Sequence, residues 1–169
     1  LDKMLKKETA EFDNIQTRIK SQSELSKNVN ISRETRGLII RLNDAVLFDP
    51  GSDIIKTDAR LTLDKLAGIL KDVPNSIRIE GHTDNTPIKT QKFPSNWELS
   101  TARATNLITY LVNKHGFDPR RLQAVGYGEY MPAVPNDTNE QRAINRRVDI
   151  VILSSASKIF DPLSIKSEQ

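Results

Sequence analysis

Cysteine is absent from this 169-residue chain. Neither a disulfide framework nor a cysteine-ligated zinc site is therefore open to it. No apolar run approaches the ~18 residues that a membrane-spanning helix needs. A block of Lys or Arg, an RNA-binding aromatic motif and a Cys/His finger are all missing too, and the net charge is only +3, spread along the chain. Those gaps argue against nucleic acid as a partner. There is no initiator Met and no signal peptide: the sequence opens on Leu1 and reads as a segment of a longer protein, with any membrane contact made through a helix that would precede it.

What is present suits one domain plus extra length, since domains commonly run to ~100–150 residues. Residues 1–30 contain neither Gly nor Pro, and Leu1, Leu5, Phe12, Ile15 and Ile19 form a loose heptad seam interrupted by Glu8 and Gln22. The pattern predicts an amphipathic linker helix over 1–34, either packed on its own domain or helping to pair two chains. From residue 36 the texture changes. "RGLIIRLNDAVLF" (36–48) reads as one or two strands and "DPGSD" (49–53) as a turn. Leu63, Leu66, Ala67, Leu70 and Val73 make a helical stripe capped by Thr57 or Asp58. "SIRIEGH" (76–82) alternates as a strand does. Asn96 is a candidate N-cap for a second helix striped by Ala104, Leu107, Ile108, Leu111 and Val112 and closed by Gly116. "LQAVGYG" (122–128), a short helix over 136–147 and "RVDIVIL" (147–153) complete the order.

That order predicts an α/β fold: a two-layer sandwich with a small mixed sheet, its helices on one face, and the linker helix in front. The folded domain is expected over 35–153. A polar tail follows over 154–169, in which Ile159, Phe160 and Leu163 are candidates for docking.

"EGHTDNTPIKTQKFPSNWELSTARA" (80–104) carries more polar chemistry than a strand-to-helix connection needs. His82 and Asp84 stand two apart and His115 is distant, whereas zinc sites use three or four ligands. No HExxH motif exists, so neither metal nor cofactor is expected, and His82 is expected to orient the loop through a ring hydrogen bond. A Ser100–His82–Asp84 triad is disfavoured, because residues two apart on a strand share a face while a triad runs end to end. Asp84 and Glu98 would be the pair for a lytic enzyme, but Glu98 lies in a first helical turn, where an acid commonly just faces the macrodipole. Asp84 and Arg103, brought together by a folded-back loop, would suit a zwitterion, with free helix N–H groups near Asn96–Ser100 adding anion affinity. A plain Asp84–Arg103 salt bridge uses the same spacing.

The run "GHTDN…NWELSTARATNLITYLV…GYGE…NRRVDIVI" resembles the OmpA-like peptidoglycan-binding domain over about residues 36–153. It carries the family's Thr83-Asp84, its Asn96…Leu99-Ser100…Arg103-Ala104 and its Asn145-Arg146-Arg147-Val148. The resemblance implies a noncatalytic domain that grips the diaminopimelate of a peptide stem. Asp84 would meet its ammonium and Arg103 its carboxylate. Asn96, Leu99 and Ser100 would shape the pocket, with Thr86 and Arg146 as lesser contributors. The long stretch "NTPIKTQKFPSNWELS" (85–100) is similar to the MotB branch, the stator proteins of the flagellar motor. It implies a membrane-anchored homodimer beside a MotA-type ion-channel subunit, with this domain on the extracytoplasmic side. An OmpA- or Pal-type envelope anchor without a motor role, and a peptidoglycan-cleaving enzyme, are the alternatives.

Overall fold

The computed structural model describes residues 1–158. In chain order its elements are α1 (Asp2–Ser21), α2 (Ser23–Ser26), β1 (Val29–Glu34), β2 (Gly37–Asn43), α3 (Asp44–Leu47), α4 (Ala59–Leu70), β3 (Ile77–His82), α5 (Asn96–His115), β4 (Leu122–Gly126), α6 (Asn139–Asn145), β5 (Arg147–Leu153) and α7 (Ser155–Lys158). The docking expected of Ile159, Phe160 and Leu163 lies outside the described residues. Among the described residues no helix is long and apolar enough to cross a membrane.

The five strands form one sheet in the order β1-β2-β5-β3-β4. β3 and β4 are parallel and the other pairs antiparallel. A parallel pair needs a crossover, and α5 supplies it. Leu38, Ile40 and Leu42 of β2, Ile77 and Ile79 of β3, and Val148, Ile150 and Ile152 of β5 share one core with the apolar stripes of α1, α4 and α5. The expected two-layer mixed α/β architecture is therefore what forms.

Three local expectations are revised. The helix over 1–34 stops at Ser21, and Val29–Glu34 becomes an edge strand on β2. Asn, Ser and Thr compete poorly for helix interiors, and pairing with β2 gives 29–34 a ladder of partners. Residues 44–48 leave the sheet as a helical turn, which drops Leu47 and Phe48 into the core. The cap of α5 is Ser95, whose hydroxyl accepts from Trp97 N at 3.2 Å, with Asn96 as the first helical residue. The stripe of that helix and its left-handed end at Gly116 (φ 68°) are as expected.

The α1 seam is used inside the chain. Phe12, Ile15 and Ile19 are buried in the core, leaving Leu1, Met4 and Leu5 exposed at the free end. Glu8, which interrupts the seam, is buried and accepts hydrogen bonds from Asn75 Nδ2 (3.0 Å), Ser154 Oγ (2.7 Å), Ser155 N (2.8 Å) and Ser155 Oγ (2.5 Å). Burial works to raise its pKa, but the donors of Ser155, Ser154 and Asn75 together outweigh it and hold Glu8 below the usual carboxylate range.

Two glycines set how closely α5 approaches the sheet. Gly81 and Gly126 are register partners at the ends of β3 and β4. A Cβ on Gly81 would lie 2.2 Å from Ser100 O, and one on Gly126 2.1 Å from Thr101 Oγ1 and 2.5 Å from Thr101 N. The first turns of α5 therefore rest directly on backbone, at the edge where β3 runs into Thr83-Asp84.

Glu8→Ala should lower the unfolding free energy by about 2 kcal/mol, the scale of hydrogen bonds to a charged group. In urea unfolding the wild type should lose its advantage over the variant as pH falls below the ordinary carboxylate value toward Glu8's lower folded one, because only the ionised form is stabilised by the fold. Equal midpoints at pH 7 would show that α1 is not docked through Glu8.

Candidate functional site

At the end of β3 the chain turns outward. Thr83 N donates to Gly128 O (2.9 Å), and Thr86 N donates to Asp84 Oδ1 (2.8 Å). Asn96, starting α5, donates from Nδ2 to Thr86 O (3.0 Å) and Asp84 O (3.5 Å), folding the connector back onto the helix. Ser100 Oγ accepts from Gly128 N (3.0 Å) and donates to Trp97 O (3.1 Å), while Leu99 is buried beneath. The long 85–100 stretch is pinned by buried Phe93, whose N donates to Thr90 Oγ1 (2.9 Å), and by Lys92 on Asp53 (2.7 Å). Asn96, Leu99, Ser100, Thr86 and Asp84 are thus brought together.

Arg103 joins them by another route than the direct pairing with Asp84. Its Nε donates to Ser52 O (2.8 Å), Nη1 to Asp44 Oδ2 (3.2 Å) and Nη2 to Asp49 O (3.2 Å), and its guanidinium lies over the Phe48 ring at 4.8 Å. Asp84 Oδ2 instead accepts from Arg146 Nη1 (2.6 Å), and Arg146 Nε stands 3.7 Å from Asp44 Oδ1. The four groups alternate in sign: Arg103, Asp44, Arg146, Asp84. Arg146 is the outward member, its side chain 39% exposed against 4% for Arg103. Burial pushes Asp44 up from the ordinary carboxylate value despite Arg103 and Arg146, and lowers Arg103 against the opposing pull of Asp44.

Asp44 and the Asp49 and Ser52 carbonyls were missed by sequence reasoning. Asp44 followed a strand pattern and 49–53 read as a turn. Nothing local links them to an arginine more than fifty residues on.

Neither the Ser100–His82–Asp84 triad nor the Asp84/Glu98 acid pair assembles among the described residues. Ser100 is bonded to backbone, Asp84 is occupied by Arg146, and neither touches His82. Glu98 is drawn below its ordinary value, chiefly by the Ser95 hydroxyl, which is the opposite of what a glycosidase general acid requires.

The expected ring hydrogen bond of His82 is not formed: both its nitrogens are buried without a hydrogen-bond partner, Nε2 lying 3.9 Å from Asp149 Oδ2, and the ring stacks on Tyr127 at 5.1 Å. His82 faces the side of the sheet away from the main core, among Glu80 and Asp149, and the three could offer ligand atoms within 4.8 Å of one another. Those carboxylates are already committed. Arg36 Nη1 donates to both Glu80 oxygens (2.6 and 2.5 Å). Arg41 forks Asp149 (2.8 and 3.0 Å), and Arg147 Nε adds a third donor (3.2 Å). Three guanidiniums would repel a divalent cation, so the group does not fit a metal. Burial, then Arg147, with Arg41 and Arg36 adding and Asp149 opposing, lowers the His82 pKa from 6.5 to about 4.

Comparisons with known proteins place the fold. The OmpA family pattern matches residues 47–146. Over 91% of its length the chain is 41% identical to the uncharacterized protein YtxE of Bacillus subtilis, and over 85% it is 36% identical to Motility protein B of the same organism. It spans 60% and 56% of those two proteins. A MotB-like protein from Desulfovibrio vulgaris superposes with a TM-score of 0.82 at 28% identity, covering 89% of this chain and 96% of that one.

Because the unfolded chain takes up a proton near 6.5 and the fold resists until about 4, stability should fall by roughly 2 kcal/mol between pH 7 and 5. Replacing the ring by a neutral one, His82→Phe, should remove that component of the slope in urea titrations at the two pH values. An unchanged slope would mean that His82 is protonated in the fold.

Proposed function

Since this chain belongs to the OmpA family, with MotB-type relatives along most of its length, we propose that it is a noncatalytic anchor that grips peptidoglycan at the diaminopimelate of the peptide stem. The observation that carries this reading is the sign-alternating set around the connector. The zwitterionic end of diaminopimelate presents one ammonium and one carboxylate, and it would take one acid and one base from the two of each that the set holds. Asp84 receives the ammonium. The carboxylate meets Arg103, with the exposed Arg146 beside it as the first cation reached from solvent. Arg103 uses three of its guanidinium's N–H donors inside the fold, and a guanidinium carries five, so two remain for a ligand. Net charge in the site is unchanged when a zwitterion enters, which avoids leaving a buried charge unpaired. A lysine-type stem has no second carboxylate and would leave those donors unmatched.

In the longer protein this domain stands on the extracytoplasmic side of a membrane-anchored stator subunit that acts as a homodimer beside a MotA-type channel. Two pockets per dimer would let avidity compensate for modest single-site affinity. Because α1 spends Phe12, Ile15 and Ile19 on its own domain, pairing of two chains would use other surface.

Asp84→Asn keeps the shape and the Thr86 contact but removes the charge. It should weaken pelleting with purified sacculi by roughly 10- to 100-fold, the scale of one charge-assisted hydrogen bond, and Arg146→Ala should weaken it in the same direction while lowering the thermal midpoint, because it leaves the buried Asp84 without its partner. Arg103→Ala is a poorer probe: it strips a buried Asp44 of its partner and should cost about 3–5 kcal/mol of stability. Full pelleting by both Asp84→Asn and Arg146→Ala would overturn this function.

A further inference from the structure

Trp97 and Tyr130 are both solvent-exposed, at 48% and 61%, yet their rings stack on each other with centroids 5.1 Å apart and planes 22° from parallel. Single exposed apolar side chains are ordinary on protein surfaces. Two large rings ordered against each other in water are a built feature. Both are placed by the hydrogen bonds that also hold the peptide site. Trp97 follows Asn96, the residue that ties the connector to α5, and its N is capped by Ser95 Oγ. Tyr130 lies two residues beyond Gly128, whose O accepts from Thr83 N and whose N donates to Ser100 Oγ. A Cβ on Gly128 would stand 3.6 Å from Trp97 Cδ2, so the indole packs directly over that turn. Among the described residues neither the indole N–H nor the phenol hydroxyl makes a hydrogen bond.

From Trp97 an open groove of about 490 Å³ runs along α5, lined also by Glu98, Thr101, Ala102, Thr105 and Asn106. The hydroxyls of Thr101 and Thr105 donate to helix carbonyls, and the Asn106 amide donates to Asp53 O. Their oxygens remain as acceptors, and Glu98 is the groove's one charged residue.

We propose that this platform and groove are a glycan subsite: the rings take the apolar face of an N-acetylhexosamine of the glycan strand, and the groove takes its hydroxyl and acetamido rim. The inference rests on the peptidoglycan reading above and extends it from the stem to the sugar. A pyranose has a flat face of C–H bonds ringed by polar groups, which matches the outer face of a stacked ring pair bordered by small oxygen-bearing side chains. A protruding apolar side chain would want a concave pocket instead. The reach also fits. Diaminopimelate is the third residue of a stem joined to the sugar, so an extended stem places that sugar roughly 10 Å away, and Trp97 is covalently next to the site.

Trp97 is the chain's single tryptophan, so intrinsic fluorescence reads the platform alone. Titration of the whole chain with N-acetylglucosamine tetramer, which lacks peptide, should give a saturable shift in Trp97 emission that Tyr130→Ala weakens and Asp84→Asn retains. A muropeptide should bind more tightly than the same stem without sugar by roughly three- to tenfold, the contribution of one aromatic contact. Trp97→Ala and Tyr130→Ala should each erase that preference while their thermal midpoints stay unchanged. No emission change together with equal affinity for muropeptide and bare stem would overturn the glycan subsite and leave the stem site standing. If neither ligand binds, the peptidoglycan reading itself fails. Concentration-dependent dimerisation abolished by Trp97→Ala, with no sugar response, would reassign the rings to a second copy of this chain.

Discussion

Arg103 is a cation taken almost wholly out of water, and the architecture of the site follows from satisfying it. A guanidinium without partners in such a place would be prohibitively costly. Its partners all come from one short stretch that follows β2: Asp44 at its start, the Phe48 ring beneath, and the carbonyls of Asp49 and Ser52 in the turn. Arg103 itself stands on α5, so one side chain ties the turn and the end of β2 to the crossover helix. Without that tie Asp44 would have no reason to be buried, and Arg146 would keep only Asp84 as an anion beside it.

The placement of α5 is equally constrained from below. Gly81 and Gly126 leave no room for a side chain between the sheet and the backbone of Ser100 and Thr101. Backbone contact of this kind is stiffer than a layer of flexible side chains, so Asn96 and Arg103 are presented from a surface that cannot readily shift. On the opposite face of the sheet the same strands carry Arg36–Glu80 and Arg41–Asp149–Arg147 pairs around His82. Strands β3 and β5 therefore separate an apolar face, which supplies cohesion, from an ionic one. Their ends deliver Asp84 and Arg146 to the site from adjacent, antiparallel positions.

What could be read from the residues alone divides along a physical line. Period-2 and period-3.6 patterns located β2, β3, β4 and β5 and the long helices α1, α4 and α5, because those periods follow from backbone geometry, but they missed β1. Membership of the site was readable too, since Asp84, Asn96, Ser100 and Arg103 fall in motifs. Partner identity was not. Asp84 and Arg103 looked like a pair because they are close in sequence, but a folded chain matches charges by distance in space. Arg146 was brought to Asp84 by the β3–β5 register, and Asp44 to Arg103 by the packing of α5. His82 shows the same limit: its type suggested a hydrogen bond, while the fold gave it a stacking partner and a neutral, buried ring. At 29–34 the availability of a neighbouring strand decided between helix and sheet, and no local propensity encodes that.

A site whose charges are already matched looks ill-suited to binding, but the pairing suits the anchor proposed above. Unpaired, Asp84 and Arg146 would attract stray ions and be screened by them. Paired with each other, they present nearly neutral surface until a ligand arrives with both signs at the right separation. Exchange is then an isoelectric swap, in which each partner leaves one opposite charge for another. Such a swap favours selectivity over raw affinity, because a ligand with one charge breaks the Asp84–Arg146 contact, remakes one contact and leaves the other residue unpaired. A wall anchor meets the same stem many times over and can obtain strength from repetition. Under the proposed function, rejecting singly charged fragments of the same polymer must be done within the site itself, and that task would fall to Arg146, which stands between Asp44 and Asp84.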